Sequence, residues 1–232
     1  MKSNILLFAL AALALLSCSD QYLVTGKSNV SGLDGQMLFL KVYSDGDMRT
    51  IDSSRVVHGK FSFRGIMDSV VMANVFFDGS GIMPIVLEEG QVSVKIDVST
   101  QSATGTPLND SLTSFIQKKS QIDAEMAELP HIESRMIMDG LDHDEVLSVL
   151  GKQMEELEAR NDALVTNFIK SNYNNVLGPG IFMILTSSFR QPILNPQIEA
   201  IISQAPPYFL SNQYVQEYIK AAEKNMEKLR EY

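Results

Sequence analysis

The sequence predicts an α+β protein: an N-terminal antiparallel β-sandwich or partly open barrel, then an all-helical C-terminal half that contains an antiparallel helical hairpin. Three observations predict it. Short apolar runs alternate with Gly- and Asp-containing turns from Tyr22 to Val98. No helical period interrupts them, which argues against a parallel βαβ sheet. After Pro107 the spacing of apolar residues changes from alternation to steps of three and four. The expected division is a leader over 1–17, a sandwich domain over 18–104 and a helical domain over 105–232.

The first element is the leader. Lys2 precedes an unbroken apolar run of twelve residues, Ile5 to Leu16. As a helix that run spans about 18 Å, too short for a hydrocarbon core of roughly 30 Å. It reads as the apolar region of a signal peptide. Leu15-Leu16-Ser17-Cys18 follows, and Cys18 is the only cysteine of the chain. The pattern resembles a bacterial lipobox, in which the Cys is acylated and becomes the mature N-terminus. One acyl chain anchors a protein only marginally and several anchor it stably. Cys18 is therefore the expected lipidation site, and the membrane is the expected partner through N-terminal acyl chains. The location that follows is the cell envelope, lipid-anchored in a Gram-negative membrane and facing the periplasm or the cell surface.

Six or seven strands come next. Residues 22–30 hold the first, and Gly32 to Gly35 is a turn. Residues 36–44 are rich in aromatic and β-branched side chains. Asp45-Gly46 turns the chain into 48–57, and His58-Gly59 turns it into 60–64, where alternation places Phe61 and Phe63 on one face. A near-continuous apolar strand over 69–77 ends at Asp78-Gly79. Residues 82–87 follow, then Glu89-Gly90, then strict alternation of Val92, Val94, Ile96 and Val98. So small a sandwich needs further cover, which the helices are expected to provide.

Thr106-Pro107 is a cap and first-turn pair. Leu108, Leu112, Phe115, Ile122, Met126 and Leu129 recur at heptad spacing, with Pro130 expected to end that helix. Asp142 to Glu145 looks like a capping box. Leu147, Leu150, Met154, Leu157, Leu164 and Phe168 form a second seam, with Asn161 as its polar exception. Two such seams on either side of a short connection predict an antiparallel hairpin. An apolar helix over 181–189, a helix capped by Asn195 and a last helix capped by Ser211 complete the half. Tyr214, Tyr218 and Met226 give the last one an apolar stripe that faces either the core or a partner.

Composition excludes several functions. A single Cys rules out an intramolecular disulfide framework, a CxxC redox pair and a cysteine-rich zinc site. A net charge of −9 without a basic stretch argues against nucleic acid. Gly26-Lys27-Ser28 has the ending of a phosphate loop, but Gln21 stands where that motif needs its first Gly, and a strand and turn follow. The acidic run Asp139 to Glu145 lacks the register of a calcium loop. His58, His131 and His143 form no metal-binding pair. Met136 and Met138 are two possible soft ligands, with apolar packing as the simpler reading. Glu88-Glu89 reads as a polar turn. No catalytic, cofactor-binding or metal residue is assigned, and no cofactor is expected.

Five segments together carry a family resemblance: Gly32 to Gly35, Ile51 to Ser54, His58 to Gly65, Leu87 to Gly90 and Gly105 to Asp110. In their order and spacing the chain resembles the domain-of-unknown-function family at the N-terminus of Bacteroidetes lipoproteins that end in a thioredoxin-like thiol-disulfide oxidoreductase domain. Full-length members of that family continue into a thioredoxin fold with a CxxC. These 232 residues hold no CxxC, so the redox chemistry is not carried over. The resemblance implies the strand-plus-helix body and the envelope location. The expected function is a lipid-anchored, non-catalytic binding or accessory module that takes a partner protein or an envelope ligand. The alternatives are a non-enzymatic partner of a separate thioredoxin-like oxidoreductase, and a hydrolase or metal-dependent enzyme using Asp139 to Glu145 or His58.

Overall fold

The computed structural model describes residues 21–230; the leader and Cys18 lie outside them. Eight strands form two four-stranded sheets, and helices follow. About 49% of the residues are helical and 28% are strand, segregated along the chain, so the class is α+β. The strands are β1 Gln21–Ser28, β2 Met37–Ser44, β3 Asp47–Arg55, β4 Lys60–Ile66, β5 Val71–Phe77, β6 Ser80–Leu87, β7 Gly90–Ile96 and β8 Gln101–Thr104. The helices are α1 Pro107–Met138, α2 His143–Ser171, α3 Leu177–Ser187, α4 Pro196–Ile202, the single turn α5 Pro207–Leu210, and α6 Gln213–Arg230.

One sheet has the order β4-β1-β7-β8 and the other β3-β2-β5-β6. Sequence alternation anticipates the strands but not all of the pairing. β1 lies antiparallel to β4 and parallel to β7, so the sandwich is not wholly antiparallel, and β8 is an additional short edge strand. Two-residue turns set the β2–β3 and β5–β6 hairpin registers, and a third, closed by an isolated bridge, carries the chain from β3 in one sheet to β4 in the other. In that third turn His58 (φ +51°) and Gly59 (φ +69°) both adopt the left-handed conformation, and Val57 and Lys60 exchange two hydrogen bonds across them. Asp45-Gly46 and Asp78-Gly79 adopt the same conformation.

Val24, Phe63, Val92 and Val94 from one sheet meet Leu38, Leu40, Val75 and Ile85 from the other, all buried. A second core lies on the outer side of the β3-β2-β5-β6 sheet. There Met72 and Val86 point away from the sandwich and join Phe182, Ile169, Ile198, Phe209 and Tyr218 of the helical half. Gly180 lets α3 approach β5 closely, since a Cβ there would collide with the Met72 sulfur. The helices thus supply the cover that the small sandwich needs.

α1 and α2 form the expected antiparallel hairpin, with Phe115 stacked on Phe168 at 4.2 Å near its base. Two details differ from the sequence reading. Pro130 does not end α1, which continues to Met138. The proline stands on the exposed face, where water can take the bond its missing N–H leaves open, and Leu129 beside it stays buried. In α2 the start of the seam is rotated by one position: Val146 is buried while Leu147 and Met154 face solvent. A strict heptad drifts around a straight helix of 3.6 residues per turn, so Val165 and Ile169 are buried, while Leu164 and Phe168 are partly so.

Candidate functional site

Three of the four outer strands have edge main-chain groups bonded by side chains of the neighbouring element. Between β3 and β4, Asp52 Oδ2 accepts from Arg64 N at 2.9 Å and Ser54 Oγ from Ser62 N at 3.1 Å. On the opposite side, α1 is wedged between β6 and β8. Asn109 Oδ1 accepts from Val86 N at 2.9 Å while its Nδ2 donates to Val86 O at 2.8 Å, so one amide acts as the next strand for β6. One turn later Thr113 does the same for β8, bonding Ala103 N and O. Bonds made this way leave these edge positions unavailable for strand addition by another chain.

The start of α1 is held from the sandwich. Thr106 has the extended backbone of a cap, but its hydroxyl makes no capping bond. Glu88, just past the end of β6 and buried, does so instead: its Oε1 accepts from Leu108 N at 3.0 Å and Asn109 N at 3.1 Å. A carboxylate is favoured at that helix end. Asn109 Nδ2 also donates to Glu88 Oε1 and Thr106 Oγ1, and Asp110 Oδ1 accepts from Gly105 N at 3.0 Å. Glu88 is therefore a helix clamp, not a polar turn residue, and Asn109 serves a strand instead of capping its own helix. Sequence spacing could not show this, because these partners lie twenty or more positions apart.

The remaining candidates are dispersed. Gly26 is inside β1, beneath the ring of Phe61 from β4; a Cβ there would collide with the ring. The Gly26-Lys27-Ser28 segment is thus a strand with an aromatic lid. Asp139 to Glu145 connects α1 to α2 at the hairpin tip. Leu141 N bonds Met136 O and Gly140 N bonds Ile137 O, a Schellman ending. Asp142 Oδ1 then accepts from Asp144 N at 3.0 Å to start α2. His58 sits in the turn between β3 and β4, far along the chain from His131 in α1 and His143 at the start of α2. Among the described residues no three His, Cys, Asp or Glu side chains converge as a metal site. Met136 is partly buried in the hairpin core, whereas Met138 is exposed.

The tyrosine stripe of α6 faces inward. Tyr218 is buried against Phe182, and its hydroxyl donates to Ile193 O at 2.9 Å. Tyr214 shares a 2.8 Å hydrogen bond with Thr186 and packs edge-on against Tyr43 of β2; Met226 is partly buried. This surface is packing between sheet and helix. Asn212, not Ser211, accepts from Val215 N at the start of α6.

Tyr43 fastens that packing. Burial first, then the hydrogen bond it donates to Glu217 Oε2 at 2.9 Å and the Glu217 charge, push its phenol up to about 12 from 10.0. A raised folded value means the fold favours the neutral phenol. The stabilisation is complete below pH 10 and is lost as pH rises through about 12. The difference in tyrosinate absorbance between the folded protein and Tyr43→Phe is expected to titrate near that upper value. A Tyr43 midpoint at the ordinary value would contradict the packing described.

The hairpin carries an exposed apolar surface at its tip. Its outer core of Ile122, Leu129, Val146, Leu150 and Leu157 draws only on α1 and α2, so beyond Lys119 the two helices form an arm. Glu125 and Arg160 brace it across the helices at 2.8 Å; that guanidinium's hydrogen bond holds the Glu125 carboxyl below its usual range. A groove of about 510 Å³ lies beside this pair, lined in part by Leu129, Ile132 and Leu157. At the tip Ile137, Met138 (78% exposed), Leu141 and Leu147 stand in solvent.

Residues 22–112 match the family model of a domain of unknown function, DUF4369. The match covers the sandwich and the first turns of α1, and so takes in Glu88, Asn109 and Asp110. No curated protein and no solved structure matches the chain.

Proposed function

We propose, from that match over the strand half and the geometry of the arm, that the chain is a lipid-anchored cell-envelope protein acting as a non-catalytic binding module. Its α1–α2 arm engages a partner protein. One observation carries the reading: a braced arm with its own core ends in four exposed aliphatic side chains. Exposed apolar residues gathered at one place mark interaction surfaces more often than scattered ones do. The lipobox at Cys18 supports the envelope location.

Cys18→Ser tests the anchor. The wild-type chain is expected in the membrane fraction with acyl mass on Cys18, and the variant in the soluble fraction; an unmodified Cys18 in the native protein would refute it. A photo-crosslinking residue at Met138 tests the arm, with one at Val98 on the sandwich as control. A discrete adduct from Met138 alone is expected, and no adduct from any arm position would count against the binding role. The partner's identity then decides between a general module and an accessory of a thioredoxin-like oxidoreductase, the latter favoured if the captured protein carries a CxxC.

A further inference from the structure

We propose that the end of the sandwich around Ile66 sits in the lipid surface and that the arm points away from it. This rests on the lipid-anchored reading and adds an orientation to it. Gln21 opens β1 directly opposite Ile66 of β4. Only three residue steps separate Cys18 from Gln21, a reach of about 11 Å at full extension. An acylated Cys18 therefore holds this end of the sandwich against the headgroups.

The surface at that end suits the location. Ile66 is 69% exposed, and Ile51 and Val70 are also exposed. Ile66 and Ile51 border a groove of about 560 Å³ that also takes in Met67 and Val71. Asp52 and Asp68 line the same groove, so anionic headgroups would be repelled. The matching partner is a zwitterionic phospholipid surface entered by aliphatic side chains, with the exposed Arg64 of the groove placed to meet phosphate.

The orientation of the arm follows from the strand register. β7 runs from Gly90, beside Tyr22, to Ile96, beside Ser28. α1 follows the same course. A Cβ on Gly90 would lie 3.1 Å from Thr106, just before the helix begins. Thr113 bonds Ala103, the partner of Val94, and Ile116 and Lys119 line one hollow with Gln101, the partner of Ile96. The helix thus starts at the tethered end and leaves past the other. At 1.5 Å per residue its tip stands about 45 Å beyond its start.

The chain has no Trp, so single tryptophans report without background. Full-length Ile66→Trp, Val98→Trp and Met138→Trp proteins are purified from membranes and reconstituted in phosphatidylcholine vesicles with brominated acyl chains. Val98 is 86% exposed and lies past the far end of β7. The expected result is blue-shifted emission that brominated lipid quenches for Ile66→Trp, and no quenching for the other two. Ile51→Trp serves as a second reporter should Ile66→Trp fold poorly. Quenching at Met138 without quenching at Ile66 would overturn the orientation. No quenching at any position, with Cys18 acylated by mass, would overturn the lipid contact while the anchor stands. Quenching at Ile66 with an unmodified Cys18 would support the lipid face and refute the anchor, and an unmodified Cys18 with no quenching refutes both.

Discussion

Asn109→Asp is expected to lower the unfolding free energy by about 3–5 kcal/mol, although it exchanges only an amide nitrogen for an oxygen. The side chain is fully buried, and its Nδ2 donates to Val86 O, Glu88 Oε1 and Thr106 Oγ1. In the aspartate that donor becomes an acceptor. It then faces the Val86 carbonyl and the Glu88 carboxylate, and the Thr106 hydroxyl alone can turn to donate to it. Each orphaned buried group costs about 1–3 kcal/mol, more where charge is involved. Urea denaturation followed by circular dichroism measures the change. A loss below about 1 kcal/mol, smaller than one orphaned group at the low end of that range, would show that the network does not hold α1 to β6.

Phe182→Ala is expected to cost about 3–5 kcal/mol through the cavity it leaves. Phe182 is fully buried and packed on both sides: Phe209 meets it edge-on at 5.6 Å and Tyr218 at 5.4 Å. It lies in the helix-on-sheet core and not in the sandwich core. Amide exchange should therefore accelerate first in α3 and α6, while β1 and β7 keep their protection. Equal acceleration in both halves would mean that the two cores open as one.

Several features of the protein were legible because their causes are local. Alternation of Val92, Val94 and Ile96 marks β7 whatever packs on it. Asn195 before Pro196 caps α4 through its own Oδ1, 2.8 Å from Ile198 N. His58-Gly59 makes its turn by backbone preference. The hairpin was readable from apolar spacing, but the face presented by its far end was not. Val146 and Leu147 are both apolar neighbours, and only the position of α1 decides which one is buried. Pro130 misled for a related reason. A proline breaks a helix where its carbonyl partner would be buried, and whether that site faces water is a tertiary fact.

The candidate site divides along the same line. Glu88 and Asn109 stood out as members of the family segments, and their residue types fit a turn and a helix start equally well. The partners that join β6 to α1 lie twenty or more positions apart, so the clamp exists only once those two elements are side by side. What the amino-acid sequence determined alone was the run of strands followed by helices, the two-residue turns and the apolar spacing that makes α1 and α2 a hairpin, because each depends on neighbouring residues and intrinsic backbone preference. Only the tertiary structure decided the parallel pairing of β1 with β7, the sealing of sheet edges by Asn109, Thr113, Asp52 and Ser54, and the direction of the arm. Those depend on which distant groups are left without water and must find one another.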